Sequence, residues 1–180
     1  MCYPDPRYHG DDGEVSAVHV HGDREPDLRT SARTEVHYVA TGESTNRQFG
    51  LYRWSCKPNT PGPNPHFHRT MSESFFILDG SLRIYNGEEW SWANQGDFLF
   101  VPEGGIHAFE NPSDKPMSTL ILFAPGAPRE AYFAAGAEMA AGKREFTAEQ
   151  WREICLSHDN IFVDPPEEDP PLAAPWRKYD

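Results

Sequence analysis

GPNPHFHRTMSESFFILDG, residues Gly62 to Gly80, is the stretch on which the reading of the whole chain turns. His66 and His68 stand two residues apart, and strand side chains alternate faces. Both imidazoles would therefore point to one side, about 7 Å apart. Glu73 follows at an odd interval from His68, so an unbroken strand would send it to the opposite face. A bend is expected within Arg69–Ser72, after which Glu73, Phe75 and Ile77 share a face. Two histidines on one strand reach an ion from the same direction, so other strands must contribute. A second block, GDFLFVPEGGIHAFEN from Gly96 to Asn111, offers His107 behind a Pro102-x-Gly104 turn. If the two hairpins pack together, three imidazoles and one carboxylate are available. Such a set suits a divalent transition ion and leaves coordination positions open for water, dioxygen or a chelating substrate.

The flanking texture is that of short strands. TEVHYVATG and RQFGLYRWSC are rich in β-branched and aromatic residues and are bounded by Gly42 and by Pro58, Pro61, Pro63 and Pro65. In the second run both faces are apolar, so the pattern leaves open which one points inward. Asp79-Gly80, Asn86-Gly87 and Glu103-Gly104-Gly105 mark tight turns between FFIL, SLRIYN, EEWSWAN, DFLFVP and IHAFEN. MSTLILFAPG adds a last strand. Strands at this spacing predict an all-β antiparallel sandwich or barrel. Trp90 and Trp92 fall on one strand face and are read as packing residues.

Beyond Gly126 the period becomes helical. PREAYFAAGAEMAAG reads as a helix ended by Gly142, and Thr147 opens a second, TAEQWREICLSH, with Gln150 placed for a capping box. The segments expected are an irregular polar arm over 1–33, the β region over 34–126, helices packing on it over 127–160, and a proline-rich tail over 161–180. His19 and His21 in the arm repeat the His-x-His spacing without a carboxylate beside them, and are read as solvated.

The composition narrows the partners. A net charge of −12 with no basic patch excludes nucleic acid as an expected partner. Cys2, Cys56 and Cys155 do not form a disulfide framework. No apolar run approaches the roughly 20 residues of a membrane span, and the first residues lack a signal-peptide pattern. A soluble protein of the reducing cytoplasm, without membrane contact, is expected.

The two histidine blocks resemble the paired motifs of the cupin family. His66, His68, Glu73 and Gly80 match the first, with four and six intervening residues. Gly96, Pro102, Gly104, His107 and Asn111 match the second without a gap. One departure falls where the family has a glycine five residues ahead of the His pair, since Thr60 stands there, with Gly62 the nearby glycine, and the entry turn differs. The resemblance covers about Thr34 to Gly126. It implies a cupin-like jelly-roll, a double-sheet β-barrel with C-terminal helices, which frequently homodimerises. One divalent transition metal ion (Fe, Mn, Ni, Co, Cu or Zn) would be bound by His66, His68, Glu73 and His107.

The short gap between the motifs and the helices behind them are similar to single-domain cupins related to the quercetin dioxygenases. The implied activity is a metal-dependent dioxygenase acting on a small aromatic or enolic, flavonol-like or catechol-like, substrate. Glu73 would double as ligand and proton acceptor, and is the catalytic candidate. Tyr38, Tyr52, Trp54, Phe75 and Phe109 are candidates to line the substrate pocket, and Arg53 to pair with an anionic group. A metal-dependent isomerase or cyclase is the alternative enzyme, and a non-catalytic cupin that binds a small ligand is the alternative outside enzymes.

Overall fold

The computed structural model describes residues 3–30 and 33–163. Eleven strands and two helices follow one another as β1 (Leu28–Thr30), β2 (Thr34–Ala40), β3 (Gly50–Cys56), β4 (His66–Phe67), β5 (Ser72–Asp79), β6 (Ser81–Tyr85), β7 (Trp90–Asn94), β8 (Phe98–Val101), β9 (Ala108–Glu110), β10 (Met117–Ala124), α1 (Glu130–Ala140), α2 (Ala148–Ser157) and β11 (Ile161–Phe162). All pairings are antiparallel. The large sheet runs β1-β2-β3-β10-β5-β8, the small one β7-β6-β9, and β11 pairs with β4.

This is a mostly-β jelly-roll arrangement, but it is not the closed barrel expected. The only joins between the 60–66 segment and the strand opposite are the bridges Thr60–Asn111 and His66–His107. Between them stand Pro61, Pro63 and Pro65, which have no N–H to donate, so the ladder that would close the barrel cannot form. Gly62 lets this segment pass against β9, because a Cβ there would sit 1.4 Å from the Phe109 carbonyl oxygen.

The core lies between the sheets, with Val36, Tyr52, Phe75, Ile77, Leu82, Ile84, Ile121 and Phe123 all buried. The ambiguous strand β3 turns its Tyr52–Trp54–Cys56 side inward, and Leu51 faces out. Tyr52 is the hub: its ring lies edge-on to Tyr38, Phe123 and Phe133, and its hydroxyl donates to Glu130 Oε1 at 2.6 Å. The turns form where glycine permits positive φ, at Gly80 (φ 71°) and Gly87 (φ 100°).

Both helices lie where the periodicity puts them, and α2 starts with the Thr147–Gln150 capping box. Among the described residues of the two helices, it is α1 that reaches the β core, through Phe133 and Tyr132. In contrast to the expectation of two helices on the barrel, the buried residues of α2, Trp151 and Cys155, form a second cluster with Tyr132, Ala135 and Met139 of α1 and Phe162 of β11. Among the described residues no helix is long and apolar enough to cross a membrane.

The arm is less irregular than its sequence suggests. Leu28–Thr30 adds a strand to β2, Asp27 accepts from the Tyr38 N–H at 2.7 Å, and the Gly22 carbonyl accepts from Arg53 at 3.0 Å. Trp92 also departs from its expected role. It is 51% exposed, and its neighbour Ala93 packs on the core instead. Of the tail, Ile161 and Phe162 form β11, and residues 164–180 lie outside the described residues.

Candidate metal centre

His66 and His107 sit directly opposite each other in an antiparallel bridge, with mutual N–H to carbonyl bonds of 3.0 and 2.9 Å. Facing residues of such a pair project from the same side, which is why two distant histidines converge. The chain bends at Arg69–Thr70, as the odd spacing requires, and brings Glu73 of β5 to that side. The donor atoms of His66, His68, Glu73 and His107 all lie within 4.8 Å of one another, and all four residues are buried. Among the described residues they form the one such group, and His19 and His21 belong to none.

The proton inventory argues for a cation between them. Each imidazole commits Nδ1 to a backbone carbonyl, His66 to Asn64 (2.9 Å), His68 to Asp159 (2.6 Å) and His107 to Gly105 (3.0 Å). A carbonyl only accepts, so each Nδ1 carries a proton, and in the neutral imidazole each Nε2 presents a lone pair. Yet Glu73 Oε2 lies 3.0 Å from His68 Nε2 and 2.8 Å from His107 Nε2. Acceptors face acceptors at that range only with a proton or a metal ion between them. Burial would push the Glu73 carboxyl up, but His107 and His68 together hold it well below the ordinary carboxylate range. Burial and the neighbouring His107 and His68 push His66 well down. The four residues could hold a divalent ion, and the three Nδ1 contacts fix the rings in the orientation such an ion needs.

A cavity of about 110 Å³ opens beside this group, ample for a small organic molecule when one water needs roughly 10–15 Å³. His66 and Glu73 border it, whereas His68 and His107 do not. Trp54 and Phe109 of the expected lining residues are in its wall. Tyr38, Tyr52 and Phe75 are not, because these side chains point inward at levels of the sheets filled by core packing. Arg53 lies across the sheet from the cavity, bonded to Gly22.

The sequence reading missed two residues. Arg129, at the start of α1, is 2% exposed and borders the cavity; burial draws its guanidinium below the usual value, and it stays charged. Asp159, held at φ 56°, uses its carbonyl to fix His68. Its carboxylate accepts from the Arg69 and Thr70 N–H groups and the Thr70 hydroxyl at 2.8–3.0 Å, pinning the bend before Glu73. Asp159→Ala should cost roughly 1–3 kcal/mol of stability, read from thermal unfolding. It should also weaken metal binding about 10–100-fold, as losses around metal ligands do. Unchanged metal affinity would show that the Asp159 carboxylate does not place the bend between His68 and Glu73.

Residues 52–123 match the Cupin_2 family model, a cupin domain. An uncharacterized protein of Aquifex aeolicus is 31% identical over 61 residues, 34% of this chain and 50% of that protein. Mannose-1-phosphate guanylyltransferase RfbM of Salmonella typhimurium is 33% identical over 55 residues, 31% of this chain and 11% of that protein. The chain thus spans half or less of the length of the curated relatives it matches. Among solved structures, the polyketide cyclase RemF from Streptomyces resistomycificus is similar in fold, with a TM-score of 0.51, 21% identity, and coverage of 63% of this chain and 82% of that one.

Proposed function

Starting from a chain whose match over residues 52–123 supports the cupin family, we propose that it is a metal-dependent enzyme of the dioxygenase type. Its substrate is a small aromatic or enolic molecule of the flavonol or catechol kind. The observation that carries this reading is the convergence of three imidazole lone pairs and one carboxylate at the edge of a mostly apolar cavity. A structural site would be closed on all sides, whereas here His66 and Glu73 face a cavity.

A divalent transition ion held by His66, His68, Glu73 and His107 would polarise a substrate oxygen and supply a binding position for dioxygen. Trp54 and Phe109 offer flat apolar surfaces against which a ring or enol packs and from which water is excluded. Glu73, ionised and at the cavity edge, is the group placed to take the proton of a substrate hydroxyl. Both atoms of O2 enter the product, so no external reductant is needed.

Oxygen uptake by the metal-loaded protein with a panel of flavonols and catechols tests the reading. Substrate-dependent consumption of one O2 per turnover is expected. Turnover without O2 consumption would replace it with the isomerase or cyclase reading, and ligand binding without turnover with the non-catalytic one.

The reading includes residence in the reducing cytoplasm, supported by Cys56 and Cys155, which are buried and free. It also includes a homodimer. Phe76, Phe98 and Phe100 are 42%, 64% and 56% exposed on the outer face of the large sheet, where Phe76 pairs with Phe98. Leu120 and Leu122 share that face, which makes an apolar patch a second copy could cover. Light scattering should give twice the chain mass, falling to the single-chain mass in Phe98→Glu. A monomeric parent protein would remove this part of the reading.

A further inference from the structure

Arg129 is a buried cation that has no ion-pair partner among the described residues. Its guanidinium carbon lies 4.9 Å over the ring of Phe123, 4.8 Å from that of Tyr132 and 5.5 Å from that of Phe133. Nη1 donates to the His158 carbonyl and Nη2 to Asn160 Oδ1, the latter at 2.6 Å. Nε has no partner at all. None of the ion pairs among the described residues includes Arg129. Three aromatic faces and two neutral acceptors hold the side chain in place without cancelling its charge. A desolvated charge in that state is costly unless something of opposite sign joins it. Glu73 and Glu110 are the acidic groups on the same cavity; Glu73 is already engaged by His68 and His107, and Glu110 by Arg83.

The cavity that Arg129 borders is the one that His66 and Glu73 border. With a divalent ion at the histidines, it would carry still more positive charge. A neutral occupant leaves that excess in place, whereas an anionic one offsets it and gives the Nε–H its acceptor.

We propose that Arg129 is a specificity-determining residue, and that the molecule taken into the cavity carries a carboxylate that accepts from the Arg129 Nε–H while its other end faces His66 and Glu73. This rests on the reading of the cavity as the substrate site and narrows its aromatic or enolic substrate to one that also carries a carboxylate. Arginine suits the role because its planar fork matches the two carboxylate oxygens and its charge survives burial.

The test is calorimetric titration of the metal-loaded protein with three carboxylates of graded size (acetate, pyruvate and 2-hydroxybenzoate), each beside its uncharged amide. At least one carboxylate is expected to bind tenfold or more tightly than its amide. In Arg129→Met that preference should vanish while amide affinity and metal content stay constant, and Arg129→Lys should restore part of it. A side chain that merely tied α1 to the 158–160 segment would change stability without changing the carboxylate-to-amide ratio. The comparison on the parent protein stands even if the variants fail to fold. No preference in any pair, whether both members bind or neither does, overturns the assignment, as does a preference that survives in Arg129→Met. Elemental analysis of the same samples separates the two readings. A carboxylate preference in protein that takes up no metal keeps Arg129 and removes the metal enzyme, and full metal content without the preference does the reverse.

Discussion

Chelation of the metal-loaded protein is expected to lower its melting temperature by about 8–16 °C. The figure follows from linkage. An ion present at a thousand times its dissociation constant stabilises the folded state by about 4 kcal/mol. In a chain of this size each kcal/mol moves the midpoint roughly 2–4 °C. The effect should be large because the ligand cluster is unfavourable when empty. It gathers three lone pairs and a carboxylate, all buried, around a point that only a cation or shared protons can satisfy.

His66→Ala is expected to abolish the chelator response and to reduce metal content from about one equivalent to below roughly 0.1, with the fold retained. The fold should persist because His66 holds its place through backbone bonds to His107, which alanine can make equally well. Metal content by elemental analysis and folding by circular dichroism check the pair of claims. A His66→Ala protein that keeps a full equivalent of tightly bound ion would remove His66 from the ligand set.

The second large effect is on stability. Tyr52→Ala should cost about 3–5 kcal/mol, because it empties the centre of a four-ring cluster. Tyr52→Phe isolates the hydroxyl and should cost about 1.5–3 kcal/mol, the range for a hydrogen bond to a charged group. Burial and the Glu130 carboxylate both push the Tyr52 phenol up, so it remains a donor. Because Glu130 follows Arg129 directly, loosening this bond also loosens the cavity wall that α1 supplies. Denaturant titration of both variants gives the two numbers, and a Tyr52→Ala cost below about 1 kcal/mol would mean that the ring cluster does not hold α1 to the sheet.

These expectations differ in how far they could be read from the chain. The four candidate ligands were legible because alternation fixes which side of a strand a residue takes, and because the odd step from His68 to Glu73 demands a bend. Glycine and asparagine placed the turns for equally local reasons. Alternation says nothing of depth, however. Trp54 and Phe109 reach the cavity while Tyr52 and Phe75, equally inward, end in solid packing. Trp92 stands outside because its strand turns Ala93, paired with Leu82 of β6, toward the core. Barrel closure failed where alternate prolines silenced a ladder that the motif spacing implied. Arg129 and Asp159 gave no local signal, since an arginine after a proline and an aspartate after a helix are ordinary surface residues until the fold carries them inward.

The family match ends at residue 123, yet Arg129, Asp159 and Phe162 complete the surroundings of the site. A stretch beyond the match thus bears on a candidate ligand, through Asp159, and on the cavity wall, through Arg129 and Phe162. Grafting another rear segment onto the same sheets would alter the cavity wall and the hold of Asp159 on His68 together, so kinship judged on the shared stretch is a poor guide to this pocket.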